Sequence, residues 1–195
     1  MKKINVVGTS GSGKSTFSKR LSQILEIPYI EMDQIFWGPN WYWPSDDEFF
    51  AKLKKELQRD QWVLDGNYTR TIPIKWENVD TVVWLDHSFT TTLFRAVKRA
   101  IHRSLSKEEI WESTGNRESF RKSFFSKDSI IWWTIKTHKQ VRKKYEKCMI
   151  DPQFSHIKFV RLRSDLEVEK FLANLNFDWQ PLSPQDLKST LSEVK

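Results

Sequence analysis

The chain has 195 residues, of which 38% are hydrophobic and 29% charged, with a formal net charge of +7. These values are typical of one globular domain with a proper apolar core. The single cysteine, Cys148, excludes a disulfide framework and a cysteine-based metal site. No apolar run has the length of a membrane span and the chain enters a strand at once, so we expect a cytoplasmic protein without a membrane partner.

The chain begins with an apolar run, a glycine-rich turn and an amphipathic segment. Residues 3–7 predict a buried strand, and residues 15–25 predict a helix because Phe17, Leu21 and Leu25 recur at helical spacing. Residues 8–16 between them fit G-x-x-x-x-G-K-[ST], the pattern of a phosphate-binding loop. A chance match in a glycine-rich turn is the alternative, and the strand before and helix after it disfavour that alternative.

This loop predicts a nucleotide site. Its backbone N–H groups curl toward a phosphate, and the following helix adds the positive end of its dipole. Lys14 would supply charge to the β- and γ-phosphates and the Ser15 hydroxyl would ligate Mg²⁺, so we expect ATP and Mg²⁺ as cofactors. The loop residues predicted to bind the nucleotide are Gly8, Ser10, Gly11, Ser12, Gly13, Lys14, Ser15 and Thr16.

The rest of the chain alternates short apolar strands with helices. Further strands are predicted at residues 27–32, 61–65, 81–86 and 158–162, and further helices at 45–57, 90–102, 107–111, 128–149 and 165–175. Such alternation is typical of a three-layer α/β/α fold with a five-stranded parallel sheet. We divide the chain into a domain at 1–176, with an acceptor-binding segment at 34–60 and a lid at 104–127, and a C-terminal tail at 177–195.

Three aspartates, Asp33, Asp65 and Asp86, end predicted strands, on the sheet edge where parallel α/β folds bind ligands. Asp33 can orient or deprotonate an acceptor hydroxyl or hold a water on Mg²⁺, with a helix or turn cap as the alternative. Asp65 can hold Mg²⁺ through water, with an ordinary Asp-Gly turn as the alternative. The predicted metal site is therefore Ser15 with Asp65.

Three arginines at four-residue intervals, Arg95, Arg99 and Arg103, share one helix face. Aligned cations repel one another unless an anion lies between them, so we expect this face to close over phosphates. A solvated basic surface is the alternative, above all for Arg103. Positive charge is concentrated from Arg95 to Lys147, which keeps DNA binding as a second hypothesis.

An aromatic loop, residues 34–44, follows the second strand. Its rings can wall an acceptor pocket or form a small cluster that pins the loop, and the second alternative is favoured for Trp41 and Trp43. The residues predicted to bind the acceptor are Asp33, Phe36, Trp37, Tyr68 and Arg70. The residues predicted to be catalytic are Lys14, Asp33, Arg95 and Arg99.

Together these motifs resemble the adenylate-kinase-like branch of P-loop NTPases, the nucleoside and nucleotide kinases, over about residues 1–175. Besides the loop, the resemblance is carried by Leu64-Asp65-Gly66, by Arg95 and Arg99 after the fourth strand, and by Arg163-Ser164-Asp165 after the fifth. It implies a P-loop NTPase fold with a small helical lid, two arginines over the nucleotide, and Arg163 beside the adenine.

Two departures from adenylate kinases concern the acceptor. Asn67-Tyr68-Thr69-Arg70 lacks the family's proline, and Met32-Asp33 replaces its Thr-Gly. We therefore do not expect AMP bound in the usual way. An aspartate ending the second strand is closer to shikimate kinase, where the resemblance implies contact with substrate hydroxyls.

The order of the motifs is also similar to that in the DNA-topology modulation (FlaR-related) proteins of bacteria. The shared stretches are residues 33–41, 62–68 and 159–164, with Asp86 between them. No helix-turn-helix, zinc finger or RNA-recognition signature accompanies them. We expect an ATP-dependent phosphotransferase acting on a nucleoside, nucleotide or hydroxy-metabolite, with an ATP-binding regulator of DNA topology that contacts DNA as the alternative; the sequence does not predict the oligomeric state.

Overall fold

The computed structural model describes residues 1–106, 114–116 and 130–176. Within these ranges five strands form one parallel sheet: β1 (Lys3–Gly8), β2 (Tyr29–Glu31), β3 (Trp62–Asp65), β4 (Thr81–Leu85) and β5 (Lys158–Leu162). Their order is β2-β3-β1-β4-β5. The predicted five-stranded parallel sheet is confirmed, with the strand that precedes the glycine-rich loop at its centre.

Helices cover both faces of the sheet. They are α1 (Lys14–Leu25), α2 (Met32–Phe36), α3 (Asp46–Glu56), α4 (Ile72–Lys75), α5 (Phe89–Ser106), α6 (Ile130–Ile150) and α7 (Asp165–Asn176). Short 3₁₀ turns lie at Pro39–Trp41, Thr69–Thr71 and Pro152–Phe154. The helix predicted at 107–111, most of the predicted lid and the tail lie outside the described residues. Among the described helices none is long and apolar enough to cross a membrane.

Alternating side chains of the strands enter two apolar cores, one on each face. On one face, Ile4 and Val6 pack with Phe17 of α1 and with Val168 and Leu172 of α7. The core on the other face includes Val7, Met32, Phe36, Phe49, Leu53, Trp62, Trp76, Trp84 and Tyr145. Burial on both faces explains why the strands are nearly continuous apolar runs and establishes the predicted three-layer architecture.

The chain leaves the sheet earlier than predicted after the second strand. β2 ends at Glu31, and Asp33 lies in the first turn of α2 rather than at the end of a strand. Met32 and Phe36 are buried, whereas Asp33 and Gln34 are exposed. A continued strand would have placed Gln34 on the buried face with Met32 and Phe36, so the helical turn is the conformation that keeps it in solvent.

Helix α3 begins as the sequence predicts. The Ser45 hydroxyl accepts a hydrogen bond from the Glu48 N–H at 3.2 Å and so caps the helix at the predicted position. The Glu48 carboxylate does not reach back to Ser45 but accepts from Lys52 at 2.8 Å. The cap fixes the start of the helix whose Phe49 and Leu53 enter the core.

A closely packed turn follows β3 at Gly66. Its φ is +156°, and a Cβ built there would lie 2.5 to 2.7 Å from the Sδ, Cβ and Cγ atoms of Met32. Glycine therefore lets the turn pack directly against α2. The contact places the ends of β2 and β3 side by side.

We expect Gly66→Ala to destabilise the protein more than Gly13→Ala. Both glycines have positive φ, but a Cβ on Gly13 would meet only Arg95 Nη1, at 3.8 Å. Gly13→Ala carries backbone strain alone, about 1 kcal/mol, whereas Gly66→Ala adds overpacking of about 1–3 kcal/mol. Urea unfolding measures both free energies, and equal losses would contradict the packing at Met32.

Candidate active site

The glycine-rich loop curls over the carboxyl end of β1. Gly8, Gly11 and Gly13 have φ values of +150°, +84° and +89°. The Ser12 N–H donates to the Thr9 carbonyl oxygen at 3.0 Å, which closes the loop. Gly13 is the N-cap of α1, so the positive end of this helix points into the loop, as expected for an anion site.

A cleft of about 420 Å³ lies beside the loop, between α1, α5 and α7. Residues 11–16 of the loop line one wall, and Arg20, Arg95, Arg99 and Arg103 line the others. Two carboxylates, Asp165 and Glu169, also line it. The cations outnumber the acids, a field that suits a polyphosphate. The basic face of α5, Arg103 included, is therefore turned toward the loop.

Each predicted catalytic cation has a partner in the protein. Lys14 Nζ donates to the Thr9 carbonyl at 3.2 Å, and Arg99 Nη2 donates to Ser10 Oγ at 2.9 Å. Arg95 Nη2 donates to both carboxylate oxygens of Asp165, at 2.7 and 2.6 Å. Burial lowers the pKa of Lys14 from its ordinary 10.5, and the carboxylates of Asp65 and Asp33 oppose that shift.

The residues predicted to hold Mg²⁺ fit a hard cation. Asp65 is 5% exposed, and its Oδ2 accepts from the Tyr29 hydroxyl at 3.4 Å. Its Oδ1 has no hydrogen-bond partner within the described ranges. Burial raises the pKa of Asp65 above its ordinary 3.8, and Lys14 and the Ser15 hydroxyl counteract the shift. A buried oxygen without a partner is costly, and Mg²⁺ or its hydration water would satisfy it.

One contact at the loop involves a residue to which the sequence motifs gave no role. The Gly8 N–H donates to Asn67 Oδ1 at 3.0 Å, and Asn67 Nδ2 donates back to the Gly8 carbonyl. The hydroxyl of Tyr145, on α6, also donates to Asn67 Oδ1, at 3.0 Å. The only sequence signal is an amide directly after Asp65-Gly66, and local spacing cannot pair it with a residue 59 positions earlier.

Buried polar side chains also hydrogen-bond to the backbone carbonyls of the turn after β3. Asn5 Nδ2 donates to the carbonyls of Leu64 and Gly66, at 3.0 and 3.3 Å, and Trp76 Nε1 donates to Asn5 Oδ1 at 2.9 Å. Lys75 is fully buried, and its Nζ donates to the Gly66 carbonyl at 3.1 Å. Burial, reinforced by the ammonium of Lys144, holds the pKa of Lys75 well below its ordinary 10.5.

The predicted acceptor residues contact one another. The Tyr68 hydroxyl donates to Asp33 Oδ1 at 2.8 Å. Burial, together with the Asp33 carboxylate, raises the pKa of Tyr68, so this hydroxyl stays protonated and donates. The guanidinium of Arg70 lies 5.2 Å from the Phe36 ring centroid and pairs with Asp46 at 2.9 Å.

The aromatic residues of the 34–44 loop fall into two groups, one buried in the core and one clustered at the surface. Phe36 is 2% exposed and packs beneath Tyr68 at a centroid distance of 5.1 Å, so it supports the acceptor side from the core. Trp37 packs edge-on against Trp41 and Trp43, at 5.4 and 5.5 Å. The loop cluster proposed as an alternative for Trp41 and Trp43 is therefore present, and Trp43 is also 63% exposed.

Two further residues named by the motifs, Asp86 and Arg163, do not line the cleft. Asp86 is buried and accepts from Arg142 and Arg161, each at 2.9 Å through Nε, so it joins α6 to β5 instead of facing the loop. Arg163 is exposed after β5, where its backbone N–H donates to Glu167 at 2.8 Å, and it lies outside the lining of the cleft. The two arginine contacts set the position of Asp86, and the place of Arg163 beside the adenine stays a prediction.

Comparison with known proteins defines the fold. No protein-family model matches the sequence, and no curated protein matches it. Among solved structures, shikimate kinase from Acinetobacter baumannii in complex with shikimate is similar over 92% of this chain and 96% of its own, with a TM-score of 0.51 and 16% identity. The chain therefore shares the fold of this shikimate kinase, and the predicted five-stranded parallel sheet with helices on both faces is confirmed.

Replacing Lys75 with methionine should change the pH dependence of stability. Below about pH 10.5 the unfolded chain protonates Lys75, whereas the folded protein does so only below its lowered pKa. The unfolded state binds more protons in this window, so the wild type gains stability relative to Lys75→Met as the pH rises. We expect up to about 1.4 kcal/mol per pH unit.

The measurement is the free energy of unfolding in urea for both proteins at several values between about pH 7 and 9. The difference in unfolding free energy between wild type and Lys75→Met is compared at each pH, because the contributions of other titrating groups cancel in it. A difference that stays constant across this range would contradict the lowered pKa of Lys75.

Proposed function

We propose that this protein is an ATP-dependent phosphotransferase acting on a small hydroxyl-bearing acceptor: a nucleoside, a nucleotide or a hydroxy-metabolite. The observation that carries the proposal is the surroundings of Lys14. The Lys14 ammonium interacts electrostatically with Asp65, Asp33 and Arg99, so the metal-side acid, the acceptor-side acid and the phosphate-side arginine all lie near it. We therefore expect a γ-phosphate gripped by Lys14 to lie near the acceptor side.

The donor half consists of the loop and the arginines. Loop N–H groups and Lys14 would hold the β- and γ-phosphates. Arg95 would break its ion pair with Asp165, and Arg99 its hydrogen bond with Ser10, and both arginines would then neutralise charge on the transferring group. Mg²⁺, held by Ser15 and Asp65, would supply positive charge to the phosphate oxygens. Positioning and electrostatics of this kind supply most of the catalysis in phosphoryl transfer.

The acceptor half consists of Asp33 and its supports. Tyr68 occupies one oxygen of the Asp33 carboxylate, and the other oxygen can accept a hydrogen bond from an acceptor hydroxyl. That hydroxyl oxygen forms a bond to the γ-phosphorus, the bond between the γ-phosphorus and the bridging oxygen breaks, and ADP leaves. Asp33 takes up the hydroxyl proton. Arg70, Trp37 and Phe36 would wall and support the pocket.

The shikimate bound to the comparison structure supports a small acceptor rather than a polymer. DNA binding gains no support from the described residues, since the arginines of α5 line the phosphate cleft. We further propose a cytoplasmic protein in which residues 34–60 bind the acceptor, residues 104–127 form a lid and residues 177–195 form a tail. Arg163 beside the base, and membership of the DNA-topology modulation group, also remain proposals.

The direct experiment is ADP production from Mg·ATP with a panel of nucleosides, nucleotides and small hydroxylated metabolites, shikimate included. With the acceptor that responds, Asp33→Asn should lower kcat by about 10²–10⁴-fold, because the hydroxyl loses its proton acceptor. Its Kd for Mg·ATP should stay close to that of the wild type. Lys14→Ala should abolish turnover while the far-ultraviolet circular dichroism spectrum is retained.

Glu77→Gln is the matched control, an equivalent loss of charge at an exposed position between α4 and β4, and should leave kcat unchanged. Equal losses of Mg·ATP affinity and turnover in Asp33→Asn would remove its acceptor role. An absence of any acceptor-stimulated turnover, together with DNA binding that weakens steeply with salt, would favour the DNA alternative.

A further inference from the structure

We infer that Asn67 is a positioning residue: it fixes the Asp65 turn against the phosphate loop and so sets the preference of the site for the magnesium complex of the nucleotide over free nucleotide. The inference rests on the proposed function only in taking the loop as a nucleotide site. It concerns this chain's own hydrogen bonds, and the turn, the loop and α6 are all among the described residues.

The first observation is the match between Asn67 and the peptide of Gly8. Oδ1 accepts from the Gly8 N–H at 3.0 Å while Nδ2 donates to the Gly8 carbonyl. A carboxamide carries a donor and an acceptor side by side, as this pairing requires, whereas a carboxylate carries acceptors only. The Gly8 N–H can only donate and the Gly8 carbonyl can only accept, so the orientation of the amide is fixed as well.

The second observation is that Gly8 and Tyr145, the two residues that Asn67 joins, are both tightly packed. A Cβ on Gly8 would lie 2.6 Å from the Leu85 carbonyl oxygen and 2.7 Å from Ser12 Oγ, so the glycine is packed between β4 and the loop. Tyr145, which donates to Asn67 Oδ1, is 1% exposed and packs against Trp84 at a centroid distance of 5.7 Å. Asn67 therefore joins the loop to the core-facing side of α6.

The third observation is that each of the four residues of the turn, 65–68, contacts a different part of the site. Asp65 interacts with Lys14 and Ser15, the Gly66 carbonyl is held by Asn5 and Lys75, and Tyr68 donates to Asp33. Asn67 is the member that contacts the first residue of the loop. Asp65 lies only two residues before Asn67, at most about 7 Å along the chain, so releasing Asn67 loosens the carboxylate relative to Ser15.

A positioning role and a merely structural role predict different results. Loss of a few buried hydrogen bonds lowers the stability of the fold in either case. Only misplacement of Asp65 relative to Ser15 weakens the magnesium complex more than free nucleotide, because free nucleotide needs the loop amides and Lys14 but not the metal-side carboxylate. The ratio of the two affinities is therefore the informative quantity.

The experiment is calorimetric titration of the full-length protein with Mg·ATP and, in EDTA, with metal-free ATP. Asn67→Ala should weaken Mg·ATP binding by at least about tenfold and metal-free ATP by less than about threefold, since a displaced metal-side ligand costs about 10–100-fold in affinity. Asn67→Asp, which turns a carboxylate oxygen toward the Gly8 carbonyl, should behave similarly. Tyr145→Phe, which removes one hydroxyl and keeps the ring, should shift the ratio in the same direction by less.

Leu172→Ala is the control, because this core residue of α7 lies outside the cleft and the turn. It should lower the melting temperature and leave the affinity ratio at the wild-type value. Wild-type ratios in Asn67→Ala and Tyr145→Phe would overturn the inference and leave the proposed function standing; if Asn67→Ala does not fold, Tyr145→Phe alone decides. A wild-type protein that binds neither form of ATP would overturn the proposed function and this inference with it.

Discussion

The site depends on a four-residue turn, residues 65–68, at the carboxyl end of β3. Its members interact in succession with the Ser15 side of the loop, the buried polar network, the Gly8 peptide and Asp33. One short stretch of backbone thus sets the spacing between the metal side, the phosphate loop and the acceptor side. Since transferring groups must be placed to within a fraction of an ångström, a turn fixed at every residue is well suited to such chemistry.

Fixing the turn has a cost in stability. Lys75 is fully buried with its pKa held well below the ordinary value, and Asp65 is buried with one oxygen unpartnered among the described residues. Apolar residues at these positions would avoid the desolvation of two charged groups. We attribute the presence of Lys75 at the Gly66 carbonyl and of Asp65 beside Lys14 to the geometry of the site. Replacing active-site residues of this kind commonly stabilises a protein and lowers its activity.

Features that depend on local spacing could be predicted from the sequence. The loop motif, the strand and helix that flank it and the shared face of Arg95, Arg99 and Arg103 follow from short local patterns, and the structure places these arginines around one cleft. The parallel sheet also followed, because apolar strands alternate with helices throughout. Phosphate-loop chemistry is therefore predictable from the sequence alone.

Features that depend on distant partners could not be predicted. The Asn67–Gly8 pairing, the Asn5–Trp76 hydrogen bond and the ion pairs of Asp86 join residues 56 to 75 positions apart, and no local pattern specifies them. The helical turn that carries Asp33 arises from burial of Met32 and Phe36, which is likewise decided by tertiary packing. Strand-end position alone is thus a poor guide to which acid faces the loop.

A crystal structure with Mg²⁺ and a non-hydrolysable ATP analogue would test the central claim most directly. The account predicts that the β- and γ-phosphates lie on the amides of residues 11–16, that Mg²⁺ contacts Ser15 with Asp65 beside it, and that the γ-phosphate faces Asp33. A triphosphate bound outside the cleft of Arg95 and Arg99, or with its γ-phosphate directed away from Asp33, would contradict it.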